Sequence, residues 1–200
     1  MRKGSGTLST MEREVGVAED EDAAVVCLEL DYLVTTRELL RMTRPHRDRL
    51  RPLCSVDPRH RYPGQFDPYP VIEEHMSQGC VGYGENLCGL PVNDLMQQRV
   101  YEACDRLGLA IVMHIDWWIN RDKPGLPGFE EMVKTYSRVK WVGHAQYFWR
   151  EISGKVPRKE SYPKGPVVPG GRLDELFSKY KNLYADLSAG SGYNAITRDP

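Results

Sequence analysis

The chain has 200 residues, and with 40% hydrophobic and 28% charged residues it has the make-up of a chain that folds around a sizeable core, which excludes bulk disorder and a fibrous repeat. Its 27 basic and 28 acidic side chains leave a net charge of -1, so no overall field exists to attract nucleic acid or an anionic membrane. The five cysteines (Cys27, Cys54, Cys80, Cys88, Cys104) are odd in number and form no C-x-x-C pair, which signals neither a disulfide framework nor a zinc ribbon and fits a reducing cytosol.

The N-terminus, MRKGSGTLST, lacks the apolar core of a signal peptide, and no apolar run approaches the ~20 residues of a bilayer span. A cytoplasmic chain is expected. Residues 1–23 read as an acidic N-terminal segment, compatible with a helix, and residues 24–200 as one folded unit.

In chain order, apolar, largely β-branched or aromatic runs at 24–28, 50–56, 80–83, 109–115, 139–142 and 183–187 predict buried strands. From Asp94 to Leu107 the residues Met96, Val100, Ala103, Cys104 and Leu107 recur at helical spacing, with Asn93 or Asp94 as cap and Gly108 just past the end. Phe129, Met132, Val133 and Tyr136 repeat the pattern, as do Leu173, Leu176, Phe177 and Tyr180. A Pro/Gly-rich stretch from Ser153 to Gly171 reads as a loop over the strand ends, either a lid or a rim cover.

Strand starts recur at roughly thirty residues, the size of one βα unit, and so predict a parallel sheet. Six such units suit an open doubly wound sheet or part of an eight-unit barrel. No G-x-G-x-x-G follows any strand, which removes the fingerprint of a dinucleotide-binding sheet. Locally the charge is uneven: residues 12–31 hold eight acids, and residues 37–61 hold eight arginines against three acids. Aromatics are not interleaved with those arginines, so two solvated faces are expected there rather than an RNA-binding patch.

In a parallel barrel the reactive groups come from the carboxyl ends of the strands. Those ends carry Glu29 and Asp31, Asp57, Glu85, His114 and Asp116, His144, and Asp186. In LAIVMHID an apolar strand abruptly delivers the imidazole of His114, and VKWVGHA delivers His144 one unit later. Adjacent strands lie about 4.8 Å apart, so the two imidazoles are expected to be the closest pair at that rim and could share one ion or one substrate atom. All four tryptophans (Trp117, Trp118, Trp141, Trp149) fall near the same two strand ends, as a pocket wall or as packing under loops.

These segments, with GYGENLCGLPVND, the LPGFEEMV helix and YPKGPVVPGGRLDELFSKYKNLYADLSAGSGYNAITRDP, together resemble the amidohydrolase-related family of metal-dependent barrel hydrolases and decarboxylases. The resemblance runs over residues 24–200 and implies a partial TIM-type (β/α)8 barrel whose six units correspond to barrel strands two through seven. It implies a divalent metal, Zn or Mn, held by His114, His144 and Glu85. His144 and Asp186 are the implied catalytic groups, with Asp116 and Trp149 facing a small polar substrate. Two departures stand beside it. No two of His46, His60, His75, His114 and His144 are separated by one residue, so the family's H-x-H is absent, and no strand follows to carry the family's final catalytic aspartate.

The expected function is metal-dependent hydrolysis of a C–N, C–O or C–C bond in a small-molecule substrate, impaired in this chain. The alternative is a noncatalytic barrel fragment that binds a partner chain or a second copy as a homo-oligomer. No nucleic acid and no membrane partner is expected.

Overall fold

The structure, a computed structural model, describes residues 25–27, 34–59, 65–156 and 160–199. Its strands are β1 (Val25–Cys27), β2 (Leu50–Pro52), β3 (Gly82–Tyr83), β4 (Ala110–His114), β5 (Lys140–His144) and β6 (Leu183–Ala185). Its helices are α1 (Thr36–Thr43), α2 (Tyr69–Gln78), α3 (Leu95–Leu107), α4 (Pro127–Thr135), α5 (Gln146–Trp149), α6 (Arg172–Lys179) and α7 (Ala189–Thr197). The acidic segment at 1–23, Glu29 and Asp31 lie outside the described residues.

Every pairing is parallel: β1 with β2, and β3-β4-β5-β6 in sequence order. Pro52 has no N–H to give, and the regular ladder of β2 ends there. Pairing nonetheless continues to β3, because the Val81 N–H donates to the Pro52 carbonyl (2.9 Å), Cys54 N–H to Gly82 (3.0 Å) and Gly84 N–H to Cys54 (2.8 Å). The six strands therefore follow one another as consecutive βα units, the arrangement of a partial barrel.

The expected helix at Asp94–Leu107 forms as α3. The Asp94 carboxylate accepts from Met96 N–H at 2.8 Å, and Gly108, at φ 68°, turns the chain so that the N–H groups of Gly108 and Leu109 reach back to the Asp105 and Cys104 carbonyls. Its buried side packs on the sheet through Val100, Tyr101 and Cys104. There Tyr101 meets Trp141 of β5 edge to face at 5.0 Å, and Phe129 of α4 meets the same indole at 5.7 Å.

Thr35 caps α1, its hydroxyl accepting from Glu38 N–H at 3.3 Å. Several of the arginines in 37–61 make local contacts, Arg41 with Glu38, Arg59 with Asp57 and Arg51 with the Arg47 carbonyl, and Arg47 reaches the Gln78 carbonyl at the end of α2. No described helix is long and apolar enough to cross a membrane.

Candidate metal centre

Strand register builds the site. His114 and His144 end β4 and β5 as direct partners in the parallel ladder, which sets both imidazoles at the carboxyl rim with ring centroids 5.5 Å apart. Glu85 reaches the same point from the chain just after β3. Gly84 makes that approach feasible: its φ is 131°, and a Cβ there would stand 2.7 Å from the Val112 carbonyl oxygen.

Glu85, His114 and His144 each offer one ligand atom, and these atoms lie within 4.8 Å of one another. The Glu85 carboxylate bonds His114 Nδ1 and lies 3.4 Å from His144 Nε2. The tightest contact at the rim is thus Glu85 with His114, not the two histidines with each other as the strand spacing suggests. The ladder pairs the histidines through their backbones, whereas the loop after β3 brings a carboxylate between them.

Each imidazole has a further carboxylate on its other nitrogen. His114 Nε2 lies 3.2 Å from Asp116 Oδ2, and His144 Nδ1 lies 2.8 Å from Asp186 Oδ1. Asp116 is itself fixed, because its Oδ1 accepts from the N–H groups of Trp118 (2.8 Å) and Ile119 (2.6 Å). Asp186 accepts from the Ser188 hydroxyl at 3.0 Å, and the indole N–H of the buried Trp149 donates to its backbone carbonyl at 3.0 Å. Burial works against a charged His144, but the hydrogen bond to Asp186 and the negative charge of Glu85 outweigh it and raise its pKa above the ordinary histidine value.

The donor set fits a divalent ion. Two imidazoles and a carboxylate are a His2Glu set, and carboxylates on the far nitrogens are the outer partners that fix tautomer and ring orientation in metal sites. The sequence-derived residues Glu85, Asp116, His114, His144 and Asp186 therefore converge on one rim. Trp149 lies beneath that rim, bonded to Asp186 rather than open to a substrate, while Trp117 (64% exposed) and Trp118 (55%) stand in the open on the Asp116 loop.

Behind the rim sits a buried polar group that the strand-end reading passed over: Asn86, Gln97 and Asn120, beside Cys88 and Tyr101. Gln97 carries a signal in the sequence, since it lies three and seven residues before Val100 and Cys104 on the apolar stripe of α3 and is polar where the stripe should be apolar.

No protein-family model matches this sequence, and no curated protein does. The fold is similar to a solved structure of a probable 2-pyrone-4,6-dicarboxylic acid hydrolase from Acinetobacter baumannii, crystallised with citric acid bound. The TM-score is 0.59 at 15% identity, over 98% of this chain and 64% of that one. It is similar also to an uncharacterised TIM-barrel protein from Bordetella bronchiseptica, with a TM-score of 0.56 at 13% identity, over 90% of this chain and 58% of that one. The chain spans less than two thirds of the length of either protein. At such identities the likeness establishes the fold: an α/β chain with a parallel sheet, arranged as a partial TIM barrel.

Proposed function

We propose that the chain is a metal-dependent hydrolase of amidohydrolase type acting on a small polar metabolite. The observation that carries this reading is the convergence of Glu85, His114 and His144 at the carboxyl rim of a parallel barrel sheet, with their ligand atoms within 4.8 Å of one another. The hydrolase name of the Acinetobacter protein, borne by a similar fold, supports it.

Glu85, His114 and His144 would hold a Zn or Mn ion. When bound, such an ion supplies Lewis acidity, polarising an electrophilic carbonyl and lowering the pKa of water. Asp116 and Asp186 keep the two imidazoles turned toward Glu85. Asp186 has the more open of the two flanking carboxylates, its side chain 27% exposed with Ser188 on its other oxygen, which supports it as the group that takes a proton from a reacting water. Trp117 and Trp118 offer exposed aromatic faces beside Asp116 on which a small planar substrate could rest.

A second reading is a noncatalytic barrel fragment that docks a partner chain, and one observation favours it: Tyr184 on β6, with Leu187, Tyr193 and Ile196 beyond it, is exposed. Metal binding together with turnover separates the two. The purified chain, loaded with Zn²⁺ or Mn²⁺, is assayed against amides, esters, lactones and aromatic carboxylates. Metal-dependent hydrolysis that disappears in Glu85→Gln supports the hydrolase. Stoichiometric metal without any turnover favours the noncatalytic fragment.

A further inference from the structure

Five side chains beneath the rim are closed off from solvent: Asn86, Cys88, Gln97, Tyr101 and Asn120. Burying an amide is unfavourable unless its donors and acceptors are matched, so the destinations of these hydrogen bonds say what the group holds in place.

Asn120 spends both amide protons on the backbone of the site: Nδ2 donates to the His114 carbonyl at 2.9 Å and to the carbonyl of Asn86, the residue after Glu85. One side chain thereby ties together the chain at two candidate ligands. It can do so because Asn120 sits in the left-handed region, φ 44°, which turns its amide back under the rim, a conformation asparagine tolerates better than most residues.

Gln97 of α3 braces that tie. Its Nε2 donates to Asn120 Oδ1 at 3.2 Å and to the Pro91 carbonyl at 2.7 Å, while its Oε1 accepts from Asn86 Nδ2. The Tyr101 hydroxyl, one turn along α3, lies 2.8 Å from the same Oε1 and 3.0 Å from the Val92 carbonyl, with one proton to give to either. The Cys88 thiol completes the set at 3.5 Å from Asn120 Oδ1. None of these side chains is among the groups that could ligate the ion.

We infer that Gln97 and Asn120 are positioning residues, which hold Glu85 and His114 at ligand distance by fixing the loops after β3 and β4 to α3. The inference rests on the metal reading of the site. The network is not needed to join the two loops, which are already held by backbone bonds from Arg121 N–H to the Leu90 carbonyl (3.1 Å) and from Val92 N–H to the Arg121 carbonyl (3.0 Å); its own bonds end instead on the carbonyls of residues 86 and 114, beside the ligands.

The test uses the full chain, stripped with a chelator and titrated with Zn²⁺ against a competing dye, and pairs this with a metal-free readout. That readout is the nuclear Overhauser contact between the ring protons of His114 and His144, whose centroids stand 5.5 Å apart. Gln97→Met, close in volume but unable to bond, and Asn120→Ala are each expected to weaken Zn²⁺ binding about 10- to 100-fold, the usual loss when an outer-shell partner is removed, and to abolish the ring contact. Val133→Ala, a cavity in the core on α4, should leave both unchanged at a comparable loss of thermal stability. Folded Gln97→Met and Asn120→Ala proteins with the affinity and ring contact of the parent would overturn the inference. Should neither variant fold, Tyr101→Phe removes a single hydroxyl from the same network: affinity lowered several-fold supports the role, and unchanged affinity overturns it. If the parent chain takes up no Zn²⁺, the hydrolase reading fails, and the ring contact alone then decides whether the network positions these residues.

Discussion

Glu85 lies between two imidazoles whose outer nitrogens are each held by another carboxylate, Asp116 for His114 and Asp186 for His144. Removing the charge of an outer partner while keeping its shape should therefore loosen the ligand it orients: Asp186→Asn is expected to weaken Zn²⁺ binding about 10- to 100-fold without unfolding the chain, as read by dye competition. The cysteines make a second prediction at this scale. Cys88 and Cys104 are buried and form no disulfide, and burial pushes both thiols up, that of Cys88 to about 11. Little thiolate of either exists at pH 8, so alkylation of these two by iodoacetamide should proceed only after denaturant is added, as peptide mass mapping would show. The strand-end polar residues were readable because an imidazole at the end of an apolar run is conspicuous. Asn86, Asn120 and the outer role of Asp186 were not, since their partners come from chain segments up to 42 residues away and spacing alone does not reveal them.

Elements dominated by periodic apolar residues were legible: all six strand positions, and α3, α4 and α6, appear where the pattern puts them, with β2 and β6 shorter than the apolar runs, β2 because its regular ladder stops at Pro52. Four helices were harder to see, among them α5, a single turn of four residues with no room for an apolar period. α1 lies in the arginine-rich stretch and is only two turns long, α2 starts among prolines that also suit a loop, and α7 contains Gly190 and Gly192 and so forms against weak local propensity and depends on packing. Close packing at β5 can be tested directly. A Cβ on Gly143 would stand 2.1 Å from the Phe148 ring, with the backbone outside the glycine-favouring region, so the conflict is one of space alone. Gly143→Ala is expected to cost about 1–3 kcal/mol, the usual penalty of an overfilled core. Phe148→Leu in the same chain should recover part of it, whereas additive losses in thermal denaturation would show that the ring is not the obstacle.

At the scale of the molecule, a thirty-residue period foretold consecutive parallel βα units, and the structure bears that out from β1 to β6. It could not foretell what covers the outer edge. Among the described residues β6 pairs with β5 alone, and Tyr184, Leu187, Tyr193 and Ile196 are exposed near it. An unpaired strand beside exposed apolar groups is a template for association. The 200-residue chain should therefore form concentration-dependent oligomers in light scattering, reduced by Tyr193→Lys with Ile196→Lys. A monomer at all concentrations, unfolding in one cooperative step by two probes, would count against an associating edge.

Whether Glu85, His114 and His144 form one divalent-metal site is decided by elemental analysis of the chain after Zn²⁺ loading and dialysis, beside the His114→Ala, His144→Ala double variant. Bound zinc should approach one ion per chain in the parent and stay at background in the folded double variant. Equal zinc in the two proteins, or none in either, would contradict that site.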